Sequence, residues 1–181
     1  MDKAYVETVR LLLAATPDVF RAPCFALKGG TALNLFVQEM PRLSVDLDVV
    51  YVPYATERSA ALEEIGTALD TTQKQLSASG IASEIISTKD GDDVKLLIRR
   101  GQSQVKVEVN HVFRGTVLPV EMRRLVKSAR DLFTTELSAP VLAAPELYGS
   151  KLGAAMDRQH PRDFYDVRGM YERFEIGRAH V

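Results

Sequence analysis

The chain carries one cysteine, Cys24, in 181 residues. A lone thiol cannot close an internal disulfide and gives no basis for a zinc site, which excludes a disulfide scaffold and a cysteine-ligated metal. No run approaches the roughly 18 apolar residues that a membrane-spanning helix needs. The start, Met1-Asp2-Lys3-Ala4-Tyr5-Val6, lacks the basic-then-apolar layout of a secretory signal. These absences predict a cytoplasmic protein with no membrane segment. A charge excess is missing as well: 23 Lys plus Arg stand against 24 Asp plus Glu. A polyanionic partner would have to be met by a local patch rather than by a global basic field. Repeats and low-complexity segments are absent. What is there, 46% hydrophobic and 26% charged residues, is the composition of a globular domain that can bury a core.

Val6, Val9, Leu12 and Leu13 fall at helical spacing within Ala4 to Ala15, and Thr16-Pro17-Asp18 is expected to end that helix. Cys24 to Leu27 reads as a strand that runs into a tight turn at Lys28-Gly29-Gly30-Thr31 and then a helix through Ala32, Leu33, Leu35 and Phe36. Arg42 to Val52 alternates around two aspartates and predicts a strand closed by Pro53. From about Arg58 to Ser79, Leu62, Ile65, Leu69 and Leu76 keep helical spacing, and Gly80 stands where a C-terminal glycine belongs. This helix is expected to cross back over the sheet. Ile81 to Thr88, Val94 to Arg99 and Gln104 to Asn110, separated by Asp90-Gly91 and by Gly101, predict an antiparallel meander. A further strand is expected near Thr116 to Val120. Two helices follow, one from near Pro145 to about Asp157 and one from near Pro161.

Asp46-x-Asp48 within a strand puts both carboxylates on one face, with Cα atoms about 6.5–7 Å apart, while Val45, Leu47 and Val49 face the core. Paired carboxylates suit a hard divalent cation that keeps positions open for substrate phosphates. The same pattern also arises on a solvated strand face. Gly29-Gly30 allows close backbone approach to a ligand, and the helix behind offers free N–H groups to phosphate. Thr31 could cap that helix or touch a phosphate oxygen, and Lys28 sets a cation beside the turn. The Walker A spacing is absent. A third acid, Glu108, shares a face with Lys106 and Asn110. It would join the aspartates only if its strand lay beside theirs. Lys151 and Arg158 are two helical turns apart and could address phosphates together. Arg162 and Asp166 form an i,i+4 pair that reads equally as a surface salt bridge. His111 and His160 have no metal-ligand spacing.

Taken together, Lys28-Gly29-Gly30-Thr31-Ala32-Leu33, Arg42-Leu43-Ser44-Val45-Asp46-Leu47-Asp48, Lys106-Val107-Glu108-Val109 and Glu146, Lys151, Arg158 and Arg162-Asp163-Phe164-Tyr165-Asp166 resemble the AbiEii/AbiGii toxin family of nucleotidyltransferases, over about residues 25 to 171. The resemblance implies an α/β (α+β) fold of the polymerase-β-like nucleotidyltransferase type: a small mixed sheet flanked by helices, with a helical C-terminal part. It implies a catalytic core over 1–140 and the start of a helical region over 141–174. By the same resemblance Lys28, Gly29, Gly30, Thr31, Lys151 and Arg158 bind nucleotide. Asp46, Asp48 and Glu108 hold Mg²⁺, as one ion or two. Lys151 and one of Asp163 and Asp166 complete the catalytic set. The implied reaction moves NMP from an NTP to an acceptor hydroxyl, with tRNA as a candidate acceptor and a cognate antitoxin as partner, in a type IV toxin–antitoxin or abortive phage infection system. A small-molecule acceptor, or an inactive nucleotide-binding protein of the same fold, are the alternatives.

Two segments carry further expectations. Arg114, Arg123, Arg124, Lys127 and Arg130 form a basic stretch that could meet RNA phosphates or simply be a solvated helix face. Residues Glu175 to Val181 leave the helical pattern and are what GAGATCGGAAGAGCACACGTC encodes, a string resembling a sequencing-library adapter. They read as a non-native tail, with the natural chain expected to diverge after about Phe174 and to continue in helix.

Overall fold

Valine at every second position of Ser103–Asn110 builds a strand with one apolar face: Val105 and Val107 are fully buried and Val109 nearly so. The computed structural model describes residues 3–87, 93–110 and 114–174. In chain order the elements are α1 (Lys3–Val19), β1 (Phe25–Lys28), α2 (Gly29–Ala32) continuing as a π-helical turn (Leu33–Val37), β2 (Asp46–Tyr51) and α3 (Arg58–Ala78). Then come β3 (Ala82–Ser87), β4 (Asp93–Arg100), β5 (Ser103–Asn110), β6 (Glu121–Arg124), α4 (Lys127–Phe133), β7 (Ser138–Val141), α5 (Ala144–Arg158) and α6 (Pro161–Phe174).

The strands form one seven-stranded mixed sheet in the order β3-β4-β5-β2-β1-β7-β6. The predicted meander is β3-β4-β5, antiparallel throughout. Its last strand inserts beside β2 in parallel, and β1 joins β2 antiparallel and β7 in parallel. Helices α1 and α3 lie together against the meander, α1 on β5 and β4 and α3 on β3. They cover the valine face, so a one-residue slip of β5 would bury its charges; burial thereby fixes the register. The α3 helix ends as expected: Gly80 takes φ +71°, its N–H donates to the Ser77 carbonyl at 3.0 Å, and the Ile81 N–H donates to the Leu76 carbonyl at 2.9 Å.

Several boundaries differ from the sequence reading. Helix α1 runs through Pro17 to Val19. The proline sits in the last turn, where its missing donor costs one bond, and the Phe20 N–H resumes the pattern on the Thr16 carbonyl at 3.0 Å. β2 begins at Asp46 rather than Arg42. No strand forms at Thr116 to Val120. There the N–H groups of Val117 and Leu118 donate to the Glu146 carboxylate at 2.8 and 3.1 Å, Pro119 has none to give, and pairing starts only at Glu121. Strand β7 was not foreseen and contains Pro140. The Asp90-Gly91 turn, His111 and the 175–181 tail lie outside the described residues. Among the described residues no helix is long and apolar enough to cross a membrane.

Candidate active site

Register lines up four charged residues across four strands. Lys28 of β1 faces Asp48 of β2, Asp48 faces Glu108 of β5, and Glu108 faces Lys95 of β4. Directly opposed residues share a face, so the row reads positive, negative, negative, positive, with Asp46 opposite Lys106 one step along. The strand of Glu108 therefore does lie beside that of the aspartates. Its carboxylate is nevertheless engaged elsewhere: Oε1 is 3.2 Å from Lys95 Nζ and 3.2 Å from Lys106 Nζ. Among the described residues no three His, Cys, Asp or Glu side chains come together as a metal-binding group.

The two acids at the centre of the row titrate in opposite directions. Burial pushes the Asp48 carboxyl up; Lys28 and Lys151 pull it back, but Glu108 and Asp46 add to the rise. Burial also acts to raise Glu108, yet the hydrogen bonds and charges of Lys95 and Lys106 outweigh it and hold this carboxyl below its ordinary value. Burial, with the charge of Arg158, lowers Lys28, and Asp48 opposes that.

The glycine turn is shaped around Asp48. Gly29 has φ +71°, and a Cβ there would stand 2.0 Å from Asp48 Oδ2. A Cβ on Gly30 would stand 3.0 Å from both Arg42 Nη2 and Ser44 Oγ. Thr31 makes no side-chain cap to α2: it is fully buried, and its hydroxyl donates to the Asp46 carbonyl at 2.5 Å. It ties the turn to the first residue of the acidic strand.

Helix α5 packs on α2, and α6 packs on α5. Gln159, at φ 49°, breaks the chain between α5 and α6, yet both candidate acids of α6 reach Lys151. Its Nζ is 3.0 Å from Asp163 Oδ1 and 2.9 Å from Asp166 Oδ2, and all three residues are buried. Arg158 does act with Lys151, on Asp163, at 3.1–3.2 Å. Asp166 turns to Arg42 and Lys151 in place of the expected Arg162. Arg42 donates from Nε at 2.8 Å and Nη2 at 2.6 Å to its two oxygens. Burial alone would raise the Asp166 carboxyl; Arg42 and Lys151 more than reverse it. Sequence reasoning quoted Arg42 without a role and passed over Lys95. Arg42 stands four residues before Asp46, but its partner lies 124 residues away, beyond any local pattern.

The basic stretch does not form one face. Arg123 and Arg124 lie on β6 and Lys127 and Arg130 on α4, paired in turn with Glu121, Glu136, Asp131 and Glu136.

The profile of a protein family described as nucleotidyl transferase AbiEii toxin, type IV toxin–antitoxin system, matches residues 10–180. The chain belongs to the AbiEii toxin family. Among solved structures, this AbiEii-family chain is similar to MenT4, a nucleotidyltransferase toxin from Mycobacterium tuberculosis H37Rv, at 20% sequence identity and a TM-score of 0.54. The match covers 83% of this chain and 54% of that toxin, so the chain spans about half the toxin's length, and the likeness is one of fold. No curated protein sequence matches it.

AbiEii-family nucleotidyl transfer implies a divalent ion, and the donor set can be tested for fit. The carboxylates of Asp46 and Asp48 accept no hydrogen bond and close no ion pair among the described residues, whereas Glu108 beside them holds two lysines. Two open carboxylates are hard oxygen donors of the kind Mg²⁺ takes, and Mg²⁺ completes its shell with water and substrate phosphates rather than with an all-protein cage. Asp46 and Asp48 fit it.

Proposed function

We propose that this AbiEii-family chain transfers NMP from an NTP to an acceptor hydroxyl as the toxin of a type IV toxin–antitoxin pair, with Mg²⁺ as cofactor and tRNA as acceptor. The observation that carries the reading is the open Asp46/Asp48 pair set between the glycine turn and the Lys151 cluster. In the reaction the acceptor hydroxyl gives its proton to solvent as its oxygen bonds to the α-phosphorus, the bond from that phosphorus to the bridging oxygen breaks, and pyrophosphate leaves. Asp46 and Asp48 would hold Mg²⁺, which supplies charge neutralisation at the phosphates. Lys151 and Lys28, both charges that act on Asp48, offer ammonium groups to the triphosphate, and Gly29 brings the main chain close without a side chain. Glu108, kept ionised by Lys95 and Lys106, is the acid on the β5 side of the pair. A cognate antitoxin is the partner this assignment requires.

A second reading, transfer to a small-molecule acceptor, is favoured by the paired state of Arg123, Arg124, Lys127 and Arg130. Labelled NTPs incubated with the chain, Mg²⁺ and total tRNA test the first. Label is expected on tRNA with the wild type and not with Asp46→Ala. Pyrophosphate release with label only on small molecules would select the second reading, and no release with any NTP would remove both.

A further inference from the structure

Five charged side chains from three parts of the chain meet in one cluster, and their charges do not cancel. Arg42, Lys151 and Arg158 bring three positive charges to the two carboxylates of Asp163 and Asp166. Asp166 is the most enclosed, its side chain 1% exposed, and Arg42 engages both of its oxygens. Left to Lys151 alone, a carboxylate this deep would cancel the ammonium, since charge pairs act strongly where water is scarce. With Arg42 on Asp166 and Arg158 on Asp163, the cluster keeps one positive charge in excess, with Lys151 between the two aspartates. Two of its three donors are committed to the aspartates. Arg42 also borders the glycine turn, 3.0 Å from where a Cβ on Gly30 would stand. One side chain thus touches the surroundings of the turn, leads into the acidic strand and grips α6.

We propose that Arg42 is a positioning residue for nucleotidyl transfer: by holding Asp166 in a two-pronged grip it keeps that carboxylate from offsetting the Lys151 ammonium that meets the triphosphate. This rests on the functional reading above, in which Lys151 meets the triphosphate.

The test is calorimetric binding of ATP, GTP, CTP and UTP, each with Mg²⁺, to the full chain and to Arg42→Gln, Asp166→Asn and the Arg42→Gln/Asp166→Asn double variant. Arg42→Gln leaves Asp166 to neutralise Lys151 and is expected to weaken binding of the favoured NTP by about tenfold or more. Asp166→Asn keeps every positive charge and is expected to bind more tightly than Arg42→Gln. The double variant restores the native charge balance and is expected to recover most of the loss, although it removes a further native group. A residue that merely braced the fold would leave the double variant no better than Arg42→Gln. A double variant as weak as Arg42→Gln, or Arg42→Gln binding as tightly as the wild type, overturns the proposal. Should Arg42→Gln not fold, the double variant decides: affinity within about threefold of the wild type is expected, and a tenfold loss overturns it. A wild type that binds no NTP overturns this proposal together with the functional reading. A wild type that binds NTP with no loss in Arg42→Gln overturns this proposal alone.

Discussion

Asp48 occupies the space that a side chain on Gly29 would need, its Oδ2 2.0 Å from the position of a Cβ. Two constraints therefore coincide at residue 29, the left-handed φ of +71° and the carboxylate above it. Gly29→Ala is expected to cost at least about 1–2 kcal/mol of stability from backbone conformation alone. It should also displace Asp48, so that nucleotidyl transfer falls further than stability does. Urea unfolding beside a label-transfer assay measures both. An alanine variant with wild-type activity would remove the tight fit from the account.

Asp48→Asn is expected to separate stability from function. Because the folded carboxyl is raised above its unfolded value, the folded state binds more protons than the unfolded one between the two values. Stability is then lost as pH rises through them, and the deficit persists at neutrality. Removing the charge should make the variant more stable than the wild type at pH 7, with the gain fading below the ordinary carboxylate value of about 3.9. On the proposed function, in which Asp48 holds Mg²⁺, transfer should fall by about 10²–10³-fold or more. Urea midpoints at pH 7 and pH 4 check the sign; an equal or lower midpoint at pH 7 contradicts it.

Asp166 has the opposite sign. Its folded carboxyl is depressed, so its contribution is fully present above the unfolded value of about 3.9 and is lost as pH falls through the folded value. An acid titration of stability should therefore be shallower at its low end for Arg42→Gln/Asp166→Asn than for the wild type. Superimposable acid limbs would show that the cluster does not couple to folding.

Lys151→Met should be among the most destabilising single changes in the chain. It leaves two buried aspartates to Arg42 and Arg158 alone, and breaking a buried pair costs about 3–5 kcal/mol. Arg158→Ala, removing a side chain 65% exposed, should cost under about 1 kcal/mol. Chemical denaturation of the two variants side by side settles the ranking.

The glycine turn, the two aspartates and the paired C-terminal helices could be read from the sequence because each rests on a local signal: a double glycine, a period of two, a proline at a helix start. The place of Glu108 depended on which strand neighbours which, and that is a property of topology. Lys95 could not be linked to Glu108 without the β4-β5 register. Arg42 looked like one more residue of a strand, but it precedes β2 and spends its guanidinium on α6. Strands β6 and β7, four residues each, are too short to show a period, and Pro140 argues against a strand with neighbours on both sides. It is accommodated because β7 needs only a brief pairing with β1, at Leu27 and Val141. The basic stretch read as one patch because sequence distance hides a turn between β6 and α4.

The grip of Arg42 on Asp166 spans 124 positions, and this orders events in time. As the chain leaves the ribosome, the glycine turn and the acidic strand emerge first, while the aspartates that seat the lysine come last. Closing so long a loop costs more entropy than a local contact, and the charge cluster can close only after α6 has been made. A polypeptide that stops short of Asp166 therefore holds the β2 acids without the carboxylate that Arg42 and Lys151 share.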